Sequence, residues 1–279
     1  MTSVADPGQD AAAESPRLHP LSQGFVWQDA PGVGMRRLSA DQIDAFNKQG
    51  FFIYRDAFTP GEIAAVTAAI DPLEQENVDY VESRGGWRGL TRNGAISFTA
   101  HIVSRSRVLT EFARHRVIKD ICHDIIGGDV RLYWDQSVYK KTEKPQEFPW
   151  HQDNGYTFIE PQQYLTLWIP LVDVDEENGC PWIAPGLHKL GTLEHWTTNI
   201  GRVCLTSADA VSAPARVGDI VVFSSLAPHR TGPNVKAGTV RKVYILQYAP
   251  EGAHTRLPDG QVLAQSDPVR QFKILENGR

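Results

Sequence analysis

Cysteine is scarce in this chain. Three residues, Cys122, Cys180 and Cys204, make an odd number with no CxxC spacing. That excludes a disulfide framework and a cysteine-rich zinc site, and it points to reduced thiols and a cytoplasmic setting. A basic surplus is also lacking: 28 Lys and Arg stand against 33 Asp and Glu, a formal net charge of −5. No nucleic-acid partner is expected on that balance. No apolar run approaches the ~18 residues that a membrane span needs, so no membrane partner is expected either. Met1 to Pro16 shows no basic stretch followed by an apolar one, and no signal peptide is expected. Internal repeats are absent. What is there is ordinary globular usage, 41% hydrophobic and 22% charged, in a length compatible with one domain.

Residues 1–35 read as a disordered or loosely ordered leader, rich at first in Ala, Asp, Ser and Pro, and residues 36–279 as a single domain. Ser39-Ala-Asp-Gln42 is a capping box that opens a short helix carrying Ile43 and Phe46, with Gly50 as its stop. Thr59-Pro-Gly-Glu62 opens a second helix with an apolar face of Ile63, Val66, Ile70 and Leu73. Two more helical patterns follow, around Val108 to Phe112 and Val117 to Ile125. Beyond residue 129 the pattern changes to successive strands: 130–141, 164–171, 180–184, 219–224 and 241–248. Helices first and spaced strands after describe an α+β, mainly β chain, and an antiparallel barrel or jelly roll with N-terminal supporting helices.

The segment Trp150-His-Gln-Asp-Asn-Gly155 holds the one His-x-Asp of the chain. Residues i and i+2 of an extended segment project to one side, so His151 and Asp153 can grip one ion together. On its own this is a weak signal. A third ligand has to come from the other eight histidines. His19 lies in the leader, His254 in a polar loop, His115 and His123 on helical patterns, and His188 and His195 behind the Pro185-Gly186 turn, where structural or supporting roles are expected. His229 ends the β-prone run that starts at Gly218, where an open barrel places functional groups. His151, Asp153 and His229 then form a two-His, one-carboxylate facial triad, which leaves metal positions open for a co-substrate and O2. Turn residues Pro233-Asn234 and Ala237-Gly238 follow. A hairpin centred near residue 235 would set Arg241 opposite His229, with a guanidinium fork able to hold a carboxylate such as the far end of 2-oxoglutarate.

These residues, with Gly50-Phe-Phe-Ile-Tyr54, Leu165-Thr-Leu-Trp-Ile-Pro-Leu171, Glu177-Asn-Gly-Cys180, Pro185-Gly-Leu-His-Lys189 and His229-Arg-Thr-Gly-Pro-Asn234, resemble the phytanoyl-CoA dioxygenase family of Fe(II)/2-oxoglutarate oxygenases. The resemblance runs from about Leu38 to Tyr248 and departs at one point: Arg241 comes one residue later after the distal histidine than is usual in the family. It implies a double-stranded β-helix core, of the jelly-roll or cupin-like kind, with Fe(II) on His151, Asp153 and His229. It further implies 2-oxoglutarate on Arg241 in a pocket lined by Thr231, Trp168 and Ser137, with O2 as second co-substrate. His101 falls where the family often places a polar co-substrate contact. Asp153 retains the carboxylate that related halogenases lack, which favours oxygen transfer. No separate catalytic acid or base is implied. The implied reaction oxidises a C–H bond of a small-molecule metabolite and releases succinate and CO2. A cupin-like, non-redox metal-dependent isomerase, lyase or binding protein is the alternative. In the loop Gly85-Gly-Trp-Arg-Gly-Leu-Thr-Arg92, Arg88 and Arg92 are candidates for binding an acidic substrate. Oligomeric state is not encoded in any motif.

Overall fold

β-Branched and aromatic residues at alternate positions build two facing antiparallel sheets in the computed structural model, which describes residues 15–206 and 209–279. Across the larger sheet the order is Phe51–Tyr54, Ile220–Ser224, Leu165–Pro170, Arg241–Pro250, Val130–Lys140, Ile96–Ala100, Thr91–Arg92 and Trp87–Arg88, with Lys273–Leu275 attached to Val130–Lys140. The smaller sheet runs Val211–Ser212, Pro181–Ile183, His229–Thr231 and Phe148–His151. Together they form the expected jelly-roll, or double-stranded β-helix, core.

Period-two alternation sorts each long strand into two environments. Leu165, Leu167, Ile169, Val222, Tyr244 and Leu246 face away from the smaller sheet and pack under the helices. Trp168, Val221, Phe223, Val138 and Val243 face the smaller sheet and close the barrel interior. The helices covering the outer face are α1 (Ala40–Gln49), α2 (Pro60–Glu82), α3 (Arg107–Phe112) and α4 (Arg116–Ile125). Both expected capping boxes are present: Ser39 with Gln42 opens α1, and Thr59 with Glu62 opens α2. Helix α2 runs on through Pro72, further than its first apolar face indicates, because Val78 and Val81 continue the buried stripe.

Two expectations need correction. Of the leader, residues 1–14 lie outside the described residues, whereas 15–35 are docked on the barrel. Leu18 bridges to Leu193, the buried Ser22 hydroxyl donates to Gln162 Oε1 at 3.1 Å, and the Trp27 ring stands edge-on to His188 at 4.4 Å. A polar, aperiodic segment can be ordered by a few anchors of this kind, which composition does not reveal. The hairpin about residue 235 is also not formed. His229–Thr231 belongs to the smaller sheet and Arg241–Pro250 to the larger, so the turn between them crosses the barrel. Asn234 shapes the crossing by donating to the carbonyls of Lys140 and Thr239 at 3.1 Å each. Among the described residues, no helix is long and apolar enough to cross a membrane.

Candidate metal centre

His151 ends its strand and His229 begins the neighbouring one, and the two are cross-strand partners in register. Their rings lie 4.1 Å apart. Asp153 follows at the start of the 3-10 turn Asp153–Gly155, which swings its carboxylate back toward the pair. One donor atom from each of the three residues lies within 4.8 Å of the others, and His229 Nε2 is 3.9 Å from Asp153 Oδ1. No other cluster of this kind occurs among the described residues.

Each ligand is oriented by a second contact. His151 Nδ1 faces the carbonyl of Pro149 at 2.7 Å and His229 Nδ1 that of Ala227 at 3.0 Å. A carbonyl only accepts, so Nδ1 carries the proton in both rings and Nε2 offers its lone pair to the cluster. Thr166 Oγ1 donates to Asp153 Oδ2 at 2.5 Å, which leaves Oδ1 for the ion. Burial, with repulsion from His229, holds the His151 pKa well below its ordinary value and keeps it in the neutral, ligating form. Two imidazole nitrogens and one carboxylate oxygen suit a ferrous ion and leave room for further ligands.

The bend between His151 and Asp153 is fixed by residues that sequence reasoning assigned only general supporting roles or overlooked. Gln152 is fully buried. Its amide donates to the carbonyls of Gly191 and Leu226 at 3.0 and 2.6 Å and accepts from Leu193 N–H at 2.6 Å. The Gln152 N–H donates to His195 Nε2 at 2.9 Å, while His195 Nδ1 faces the Leu193 carbonyl at 2.9 Å. Burial pushes the His195 pKa down to about 4, so it stays neutral and can accept. Gly155 is required by contact: a Cβ there would lie 2.2 Å from the His195 ring.

Trp168, Thr231 and Arg241 open on the same cavity as the three ligands. Arg241 is 1% exposed. Its Nη1 donates to the Val138 carbonyl at 3.3 Å, its guanidinium lies 5.5 Å from the Trp168 ring centre, and its Nε has no partner. Burial pushes its pKa down to about 9, which still leaves it charged at neutral pH. No carboxylate pairs with it among the described residues. A buried cation with an idle donor, in one cavity with a three-ligand cluster, fits a small acid that chelates the ion at one end and carries a carboxylate at the other.

Four expected residues are not brought to this cavity. Ser137 pairs across the sheet with Tyr244 and Thr99 and therefore faces the helices; its neighbours Gln136 and Val138 face the cavity instead. The strand assignment holds, but its parity is shifted by one residue. Arg88 lies on an edge hairpin with its guanidinium 4.9 Å from the Tyr80 ring. Arg92 is committed to the carbonyls of Gly89, Thr91 and Asn199 and stacks on Trp87, lining an outer groove. His101 packs against Trp134 at 4.3 Å. Gln136, Phe98 and Ile96 line the cavity and were not anticipated. Only the inward parity of their strands could have signalled them.

The sequence model described as phytanoyl-CoA dioxygenase (PhyH) matches residues 46–243. The chain is 24% identical to an ectoine dioxygenase of Bordetella parapertussis over 160 residues, covering 54% of this chain and 50% of that protein. It thus spans about half the length of this curated relative. Similarity to a phytanoyl-CoA dioxygenase of Arabidopsis thaliana is 26% over 279 aligned positions, covering 86% of this chain and 96% of the other. Among solved structures, the non-heme alpha ketoglutarate dependent carbocyclase SnoK from nogalamycin biosynthesis superposes with a TM-score of 0.66. It is 21% identical, covering 80% of this chain and 90% of that one.

Proposed function

The chain belongs to the phytanoyl-CoA dioxygenase family, and from that premise we propose that it is a non-haem Fe(II)- and 2-oxoglutarate-dependent dioxygenase acting on a small-molecule metabolite. The observation that carries this reading is Arg241, buried and without a carboxylate, in one cavity with His151, Asp153 and His229. When bound, iron, 2-oxoglutarate and O2 supply the oxidation of a C–H bond, coupled to release of succinate and CO2.

The chain's own residues do the rest. His151 Nε2, His229 Nε2 and Asp153 Oδ1 hold the metal, and Thr166 keeps the carboxylate turned toward it. Arg241 receives the far carboxylate of 2-oxoglutarate, with Trp168 flanking the guanidinium and Thr231 on the cavity wall. Ile96, Phe98, Phe148 and Ile245 line the same cavity and exclude water from the reacting centre, with Gln136 adding an amide. No side chain is needed as acid or base. The Asp153 carboxylate fills the position that a halide would need, which favours hydroxylation over halogenation. The three free cysteines are buried, and a reducing cytoplasm suits both them and ferrous iron.

Anaerobic addition of 2-oxoglutarate to the Fe(II)-loaded protein tests the reading. The visible absorption of a metal–oxo-acid chelate is expected in the wild type, and it should need far more 2-oxoglutarate in Arg241→Ala. A screen of small metabolites scored by succinate release then follows. A folded, iron-loaded protein that never gives the absorption would overturn the co-substrate assignment. The barrel would then be a cupin-like, non-redox metal protein.

A further inference from the structure

Arg241 is not the only buried cation at its end of the barrel. Lys140 is its cross-strand partner and is likewise 1% exposed. The Lys140 ammonium donates to the carbonyls of Gln146, Thr231 and Gly232 at 3.2, 2.8 and 2.6 Å, which uses all three of its protons. Neither cation has a carboxylate partner among the described residues. Glu147, whose charge acts on Lys140, is engaged by Arg230 at 2.8 Å. Burial and the neighbouring Arg241 charge both push the Lys140 pKa well below its ordinary value, but three carbonyl acceptors call for three N–H donors, which only the charged ammonium has. Two like charges are therefore held together where solvent cannot screen them, at a cost that side-chain geometry alone does not repay.

We infer that Lys140 is a positioning residue that makes the cavity selective for a doubly charged oxo acid. The inference rests on the 2-oxoglutarate reading above and deepens it. At the metal end the charges close by themselves, since a divalent ion is balanced by the Asp153 carboxylate and the carboxylate of the chelating acid. At the other end there are two cations, and an oxo acid that ends in a methyl group leaves both uncompensated. One that ends in a carboxylate meets Arg241 directly and Lys140 through space. Because its protons are all taken, Lys140 acts on the ligand only by its field and by tying Thr231–Gly232 to the larger sheet.

The test is calorimetric titration of the Mn(II)-loaded protein with two probes of equal chain length. 2-Oxoglutarate carries the far carboxylate, and 2-oxopentanoate has a methyl group in its place. Lys140→Gln removes the charge while keeping donors for the carbonyls, and Lys140→Arg keeps the charge. Lys140→Gln should weaken 2-oxoglutarate by about tenfold or more, as expected for one unit charge at close range in a partly screened interior. Mn(II) and 2-oxopentanoate should bind as in the wild type, and Lys140→Arg should stay close to wild type for both acids. Equal loss for both acids and the metal, or no loss for either, overturns the inference and leaves Lys140 a purely structural tie. If Lys140→Gln does not fold, Lys140→Met is scored in the same way, and should both neutral variants unfold while Lys140→Arg folds but loses 2-oxoglutarate, the inference also falls. A wild-type protein that binds Mn(II) yet fails to prefer 2-oxoglutarate over 2-oxopentanoate overturns the parent reading instead.

Discussion

Arg241→Met is expected to move ligand affinity and stability in opposite directions. In the ligand-free protein the guanidinium is compensated by a 3.3 Å hydrogen bond to the Val138 carbonyl and by the Trp168 ring at 5.5 Å. A hydrogen bond to a charged donor returns about 1.5–3 kcal/mol, and a desolvated cation–ring contact about 2 kcal/mol. The effective penalty for burying the charge is several kcal/mol. Exchange of buried ionic groups for apolar residues of similar volume is often neutral or favourable by about 1–4 kcal/mol. Met fills comparable space between Trp168 and Val138 and removes the idle Nε. The ligand-free variant should therefore unfold at the wild-type temperature or higher, by up to roughly 10 °C for a chain of this size. In the same variant the far carboxylate of 2-oxoglutarate loses its buried charged partner, a loss of about 2–5 kcal/mol. The dissociation constant should rise by roughly 30-fold to several thousand-fold. Thermal unfolding of the Mn(II)-loaded protein, with and without 2-oxoglutarate, reads both effects. The added acid should raise the wild-type transition and barely shift that of the variant. The reasoning is refuted if Arg241→Met melts several degrees lower without ligand yet binds 2-oxoglutarate like the wild type.

Thr166→Val removes the donor that turns Asp153 and should lower iron affinity by about 10- to 100-fold in competition with a chelator; unchanged affinity would show that the carboxylate needs no brace. Gly155→Ala drives a methyl group into the His195 ring and should cost about 1–3 kcal/mol in denaturant unfolding. Wild-type stability there would mean that His195 moves freely. Ser137→Ala should leave 2-oxoglutarate affinity unaltered, since the residue faces the helices; a large loss would reverse the strand parity described above. Acid sensitivity should trace partly to His188, which burial holds down at about 4 against 6.5 when unfolded. Between those values the unfolded chain binds the extra proton, so stability falls as pH drops, by up to about 1.4 kcal/mol per pH unit. His188→Leu should flatten the pH dependence of unfolding between pH 6.5 and 4.5, and an identical slope would sink the assignment.

Much of the site was legible because its residues are adjacent in sequence or close a recognisable strand. His151 and Asp153 announce themselves by spacing, and His229 by its place at the end of a β-prone run. Arg241 was found for an incorrect local reason: no hairpin sets it opposite His229, and it reaches the shared cavity from the other sheet. The capping boxes of α1 and α2 were readable because a cap is a contact between residues three apart. Ser137 failed because strand parity depends on which neighbour sets the register, a long-range fact. Arg88 and Arg92 are not brought to the metal cavity, because exposed cations in a loop find local carbonyls and rings that no pattern reports. Gln152 and His195 were underrated for a related reason. Gln152 meets His195, Leu193 and Leu226, which lie 41 to 74 positions away along the chain.

The two ends of the cavity are built by different means. The metal end uses short strands of the smaller sheet, where each ligand is aimed by a carbonyl or hydroxyl within its own neighbourhood. The acid-binding end uses the long strands Arg241–Pro250 and Val130–Lys140, whose ten-residue pairing holds two cations side by side. Such a pair persists only if many cooperating contacts elsewhere offset its repulsion, and Val243, Val138 and Trp168 in the interior supply them. The hairpin of Trp87–Arg88 and Thr91–Arg92 joins this end through Arg92, which pairs with Ile96, the cavity residue that is also a cross-strand partner of Lys140, while Arg92 itself is tied to Asn199 at 2.6 Å beside the outer groove.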